Sequence, residues 1–194
     1  PDAGRLLTKA IGHEVTIWPL LPADQLEHYK RGAPDDPDFM AELRATFART
    51  PDEPLPDLGA FPPEILQYES PPGTYFDAFP LLLLSTNSLA SMQKLADGSV
   101  FDVARFRPNL LVDCGDVEGF PEEAWVGKQV RIGDAVLDIS MACPRCVMTT
   151  AGFGALPKDP SVMRALVREN GGNLGVYARV AEPGQVSTGD AIQV

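Results

Sequence analysis

Seven prolines fall between Thr50 and Pro72, at Pro51, Pro54, Pro56, Pro62, Pro63, Pro71 and Pro72. Each removes a backbone donor and fixes φ, so the span predicts a long ordered loop or linker with no regular helix and little ladder pairing. It divides the chain into an N-terminal arm and Pro-rich linker, residues 1–72, and a main domain, residues 73–194. A total of 194 residues, 44% of them hydrophobic, suits one cored domain with an extended arm.

In the arm, Glu14 to Leu21 (EVTIWPLL) reads as a strand, followed by a short helix in the polar stretch carrying Tyr29, Lys30 and Arg31. Asp36-Pro37-Asp38 marks a helix start, and Phe39, Met40, Leu43 and Phe47 recur at helical spacing until Pro51. The main domain reads mostly as short strands: Phe79 to Ser85, Leu110 to Asp113, Gln129 to Ile132, Ala135 to Met141, Gly175 to Ala181 and Ala191 to Val194. Thr86-Asn87-Ser88 forms a polar turn into a helix through Leu89, Met92 and Leu95, and a second helix fits Ser161 to Asn170, closed by Gly171-Gly172. Many short strands with few helices predict a mostly β, α+β fold containing a β-barrel. Trp18 and Trp125 are assigned to the core.

Acidic residues outnumber basic ones, 27 to 16, for a net charge of −11. A field of that sign opposes nucleic acid and anionic membrane surfaces, so neither is an expected partner. Three cysteines fit a reducing compartment, and the longest apolar run, Phe79 to Leu84, is far below the ~20 residues that cross a bilayer. With no leader pattern at Pro1, a cytoplasmic location is expected.

Three clusters bear chemistry. Cys143-Pro144-Arg145-Cys146 has C-x-x-C spacing. Zinc would need further ligands, and only Cys114, His13 and His28 remain. A dithiol redox motif needs a helix after its cysteines, whereas Val147-Met148-Thr149-Thr150 reads as extended. Two buried cysteines acting as small hydrophobes are the plain alternative. Arg145 beside Cys146 favours its thiolate, a good ligand for a soft or high-valent metal. The second cluster is Arg105-Phe106-Arg107-Pro108-Asn109. Alternation in an extended segment puts Arg105, Arg107 and Asn109 on one face, fit for an oxyanion, with ion pairs to surplus carboxylates as the alternative. The third is Thr86-Asn87-Ser88, a phosphate seat or an ordinary helix cap. More weakly, Gly175 in Asn173-Leu174-Gly175-Val176-Tyr177 permits close backbone approach to a ligand.

The order PLLLLSTNSLASMQ, RFRPNLLVD, EEAWVGKQVRIGDAVLDI, ACPRCVMTT and GNLGVYARVAEPGQVSTGDAIQV resembles the MOSC family over residues 75–194. That family includes the C-terminal domain of molybdenum-cofactor sulfurase and the amidoxime-reducing components. The resemblance implies a β-barrel domain binding a molybdenum cofactor (molybdopterin), independent of pyridoxal phosphate. Cys146 is implied as the metal ligand and catalytic residue. Thr86, Asn87, Ser88, Arg105, Arg107, Asn109, Arg145, Asn173 and Tyr177 are implied around the cofactor. After Thr150 the familiar Val-Asp-Pro is replaced by Ala151-Gly152-Phe153-Gly154, and the usual N-terminal barrel is not recognisable in residues 1–72. Lys9, Lys30 or Arg31 are candidate substitutes for its basic contacts.

The implied function is an oxidoreductase reducing small N-hydroxylated substrates. Three cysteines cannot ligate an ordinary iron–sulfur cluster in addition, and no G-x-G-x-x-G turn is present, so a separate electron-donor protein is expected. The alternatives are a carrier of cofactor or persulfide without turnover, and a MOSC scaffold with other chemistry.

Overall fold

The computed structural model describes residues 2–34 and 36–194, which form two compact units. Of the described residues, the smaller comprises 2–32 and 61–78, the larger 33–34, 36–60 and 79–194.

In the smaller unit, α1 (Ala3–Ile11) is capped by Asp2 and closed by Gly12 in the left-handed conformation. Residues 14–21 form no strand, because they find no ladder partner; Ile17, Trp18 and Leu20 are each more than half exposed. Trp18 is therefore not a core residue. After α2 (Leu26–Tyr29), Arg31 donates to the carbonyls of Ile65 and Tyr68 and pairs with Glu69. Lys30 pairs with Glu27. The Pro-rich span does contain a short helix, Pro63–Gln67, because Pro63 stands in its first turn, where its missing donor costs nothing.

The larger unit opens with α3 (Phe39–Thr46), whose first turn is capped by the Asp38 carboxylate bonding the amides of Met40 and Ala41. Pro63–Gln67 is α4 in chain order. Then follow β1 (Leu81–Ser85), α5 (Thr86–Leu95), α6 (Val103–Phe106), β2 (Leu110–Val112), β3 (Gln129–Ile132), β4 (Ala135–Pro144), α7 (Ser161–Asn170), β5 (Asn173–Glu182) and β6 (Ile192–Gln193). The six strands make one sheet in the order β2-β1-β5-β4-β3-β6, curled into a half-barrel within an α+β fold. Only β1 and β2 pair in parallel, and α5 and α6 supply the crossover between them. Three register shifts along the β4–β5 ladder help the sheet curl.

The apolar run of β1 is buried on both faces. Leu84 packs with Met92, Phe106, Val162, Met163 and Leu166 on the helical side, and Leu83 with Trp125, Val130, Leu137 and Val176 on the other. Full burial of such side chains stabilises the fold by about 1.5–3 kcal/mol each. Gly175 adopts φ +78°, and a Cβ there would stand 2.5 Å from the Leu83 carbonyl oxygen. The close approach that this glycine permits is to strand β1 rather than to a ligand.

Candidate functional site at the end of the sheet

Strand β4 delivers the C-x-x-C segment. Its last residue, Pro144, pairs with Asn173, and the next amide, of Arg145, donates to the Gly172 carbonyl at 2.9 Å. Cys146 then caps a 310 turn, Val147–Thr150. This segment is not extended: the Thr149 hydroxyl donates to the Cys146 carbonyl at 3.0 Å, and the Thr150 hydroxyl to that of Val147 at 2.7 Å. Such bonds to carbonyls three residues back offset the preference of β-branched residues for strands. The Cys146 backbone is thus held, while its half-buried thiol has no partner among the described residues. Cys143 is 1% exposed.

Arg145 makes no hydrogen bond to Cys146. Its side chain is buried, Nη1 donates to the Cys143 sulfur at 3.0 Å, Nη2 donates to the Phe106 carbonyl at 2.5 Å, and the guanidinium lies 5.2 Å from the Phe106 ring centroid. The expected single face of Arg105, Arg107 and Asn109 is also absent, because α6 interrupts the extended segment. Asp102 caps that helix through the Ala104 amide at 2.8 Å. Arg105 is buried and held by four carbonyls: Nε meets Val100 at 3.0 Å, Nη1 meets Thr149 and Ala151, and Nη2 meets Pro157 at 2.8 Å. It ties α6 to the loop after Cys146. The Asn109 side chain accepts the Leu82 amide at 2.8 Å. Arg107, at the left-handed end of α6 (φ 52°), is exposed and its guanidinium has no partner among the described residues.

Thr86-Asn87-Ser88 is the first turn of α5 rather than a preceding turn, and Ser85 is its cap. A residue that the sequence reading missed, Glu122, fills this corner. Its fully buried carboxylate accepts the Ser85 hydroxyl at 2.6 Å and lies 2.7 Å from the Ser88 hydroxyl through either oxygen. One more glutamate in an acidic chain carries no sequence signal. Both donors of Ser88 are thus taken internally, the hydroxyl by Glu122 and the amide by the Ser85 hydroxyl oxygen at 2.9 Å. Asn87 is likewise committed, donating to the carbonyls of Gly115 and Val117 and accepting the Cys114 amide. Thr86 is exposed with no partner among the described residues, and the half-buried Asn173 side chain has none either. Tyr177 stacks on Phe79 with ring centroids 4.8 Å apart.

Burial, then Glu122 and Asp113, pushes the Cys114 thiol above its ordinary range, and burial, with Glu122 adding, raises Glu123 despite the bond from Asn170. Both shifts express an acidic, partly dry corner. No three His, Cys, Asp or Glu side chains gather into a metal-binding group among the described residues.

The Arg145–Phe106 bond joins the residue before Cys146 to the residue before Arg107, so the backbone segments that carry the unpartnered thiol and the unpartnered guanidinium are tied together. Asn173, opposite Pro144, adjoins it, and the ends of β4 and β1 flank the start of β5. Beside Cys146, Val147 forms one wall of a cleft of about 470 Å³, with Asp36, Ala41, Glu42, Ala45 and Thr46 on the others.

The curled half-barrel thus carries the unpartnered Cys146 thiol just past the end of β4 and the unpartnered Arg107 guanidinium between α6 and β2. The chain belongs to the MOSC family: the model of the MOSC domain matches residues 71–193. It is 38% identical to human mitochondrial amidoxime-reducing component 1 over 76 residues, 39% of this chain and 21% of that protein. It is 28% identical to the bovine mitochondrial amidoxime reducing component 2 over 133 residues, 61% of this chain and 38% of that protein. The figures for component 1 of Xenopus laevis are 30% over 131 residues, with 61% and 37% covered. The matches thus span less than two-fifths of these relatives. No helix among the described residues is long and apolar enough to cross a membrane.

Proposed function

We propose that the chain is the cofactor-binding part of a molybdenum-dependent reductase of N-hydroxylated compounds, re-reduced by a separate electron-donor protein. The observation that carries this reading is the half-buried, unpartnered Cys146 thiol on a fixed backbone, which the Arg145–Phe106 bond ties to the segment carrying the free Arg107 guanidinium. The donor set fits molybdopterin. Cys146 would ligate the metal as thiolate, and Arg107 would pair with the anionic end, with Thr86 and Asn173 as further polar contacts. Arg105, Arg145, Asn87, Asn109 and Ser88 would support this set from behind, since each is occupied internally. When bound, the cofactor supplies the two-electron chemistry of the balance R–NHOH + 2 e⁻ + 2 H⁺ → R–NH₂ + H₂O.

The protein's contribution is position and field. The Thr149 bonds to the Cys146 carbonyl hold the ligand's backbone, and Arg105 fixes the loop that borders it. Asp36 and Glu42 on the cleft wall would favour substrates whose reduced product is a cation, such as amidines. The test is expression in a cofactor-competent host with metal and pterin analysis of wild type, Cys146→Ser and Cys143→Ser. We expect Cys146→Ser alone to lose molybdenum. The wild type should reduce an N-hydroxylated compound with reduced methyl viologen and not with NADH alone. Retention of metal by Cys146→Ser overturns the reading, and metal without turnover supports a carrier.

A further inference from the structure

We propose that Arg145 is a positioning residue, an internal brace that fixes Cys146 relative to Arg107 and does not itself touch the cofactor. The inference rests on the reading of Cys146 as metal ligand and assigns a role to its neighbour that chain position alone would misstate. An arginine next to a ligand cysteine invites a direct electrostatic role. Its geometry points the other way: the side chain is 7% exposed and both terminal nitrogens are taken, by the Cys143 sulfur and by the Phe106 carbonyl.

The three attachments form a clamp. The Arg145 amide bonds the Gly172 carbonyl and pins the end of β4 to the turn that begins β5. The guanidinium reaches back to Cys143 on its own strand and across to α6, where it lies against the Phe106 ring and holds its carbonyl. Phe106 is the last residue of α6, and Arg107 follows it in the left-handed conformation. A planar fork can hold sulfur and carbonyl at once, whereas an ammonium is a single point of charge and cannot span both in this geometry. No carboxylate pairs with this buried cation among the described residues, so its interactions are the sulfur, the carbonyl and the ring. Its exchange for Lys should loosen the corner locally.

The experiment uses the full chain without cofactor. Native-state iodoacetamide labelling of Cys146, resolved by peptide mass spectrometry, is divided by that of Cys114 in the same molecule, so that a general loss of stability moves both and cancels. Pterin content is measured in parallel on protein from a cofactor-competent host. Arg145→Lys is expected to raise the Cys146/Cys114 ratio about tenfold, the effect of losing one hydrogen bond to a charged group, and to lower pterin content. Arg107→Ala should lower pterin content and leave the ratio unchanged. A ratio within about twofold of wild type in folded Arg145→Lys overturns the brace, with twofold being under a third of the tenfold step in free energy. Pterin loss at an unchanged ratio would make Arg145 a direct contact and overturn it equally. Should Arg145→Lys not fold, Cys143→Ala removes one attachment; a raised ratio supports the brace and an unchanged one refutes it. If wild type holds no molybdenum, the proposed function fails while the labelling ratio still decides the brace.

Discussion

Gly172→Ala is predicted to be among the most destabilising single-methyl changes in the larger unit. Gly172 follows α7 at φ +85°, and a Cβ there would stand 1.9 Å from Nη2 of Arg49, 2.7 Å from its Cζ and 3.1 Å from Nη1. The flexible end of an exposed arginine would swing aside, but Arg49 is 6% exposed and anchored on three sides. Its Nε donates to the Pro54 carbonyl at 3.1 Å and its Nη1 to the Phe47 carbonyl at 2.8 Å, with the Met163 sulfur also 2.8 Å away. Burial already pushes this guanidinium below its ordinary range, with the nearby Glu53 opposing and Arg164 adding. To admit the methyl group, Arg49 must give up at least one such bond, about 1.5–3 kcal/mol for a charged group, and the alanine must hold a left-handed conformation at about 1–2 kcal/mol. The sum is about 2.5–5 kcal/mol, or very roughly 10 °C in Tm for a chain of this size. Gly171→Ala is the control. It also sits at positive φ, +58°, but its Cβ would meet only the Asn173 side-chain nitrogen, at 3.7 Å, so it should cost only the backbone part, about 1–2 kcal/mol. Urea denaturation of wild type and both variants gives the comparison. Equal losses in the two would refute the argument that Arg49 occupies the space of the missing Cβ.

Ser88→Ala is expected to destabilise the fold by about 1–3 kcal/mol, because the buried Glu122 carboxylate loses a donor, while Arg107→Ala should leave stability within about 0.5 kcal/mol of wild type. Thermal unfolding of the two proteins without cofactor checks the contrast. Glu123, raised by burial, favours the folded state while protonated; that contribution is present below its unfolded value and is lost as pH rises through the higher folded value. Glu123→Gln should therefore be more stable than wild type at pH 7 and lose that advantage as pH falls below about 4.5, as a pH series of denaturation curves would read. On the proposed reading, Glu42→Gln should raise KM for a basic N-hydroxylated substrate several-fold at low salt and less at high salt, with a neutral analogue unaffected.

The strands of the sheet and the helix α7 were legible because their signal is local. Gln129–Ile132 and Ser161–Asn170 are read directly from period and stop residues, and the apolar run through Leu83 and Leu84 announces a strand buried on both faces. The same rules failed where a local pattern lacked a partner or met one from elsewhere. Residues 14–21 alternate well enough for a strand, yet a strand exists only in a ladder, and none is offered. Val147–Thr150 has the composition of extended chain, but the hydroxyls of Thr149 and Thr150 find carbonyls three residues back.

For the site, the sequence by itself fixed the supply of chemistry: one C-x-x-C pair, one arginine-rich segment in a chain of net charge −11, and the order of segments that marks the family. Which of these groups remain free was decided only by tertiary structure. A guanidinium or hydroxyl has several donors and no preference written in its neighbours. Its partner is whichever carbonyl, sulfur or carboxylate the fold brings within about 3 Å. Folding spends Arg105 on four carbonyls, Arg145 on Cys143 and Phe106, and Ser88 on Glu122, and it leaves Cys146 and Arg107 without partners among the described residues, on segments that Arg145 ties together through the Phe106 carbonyl and ring.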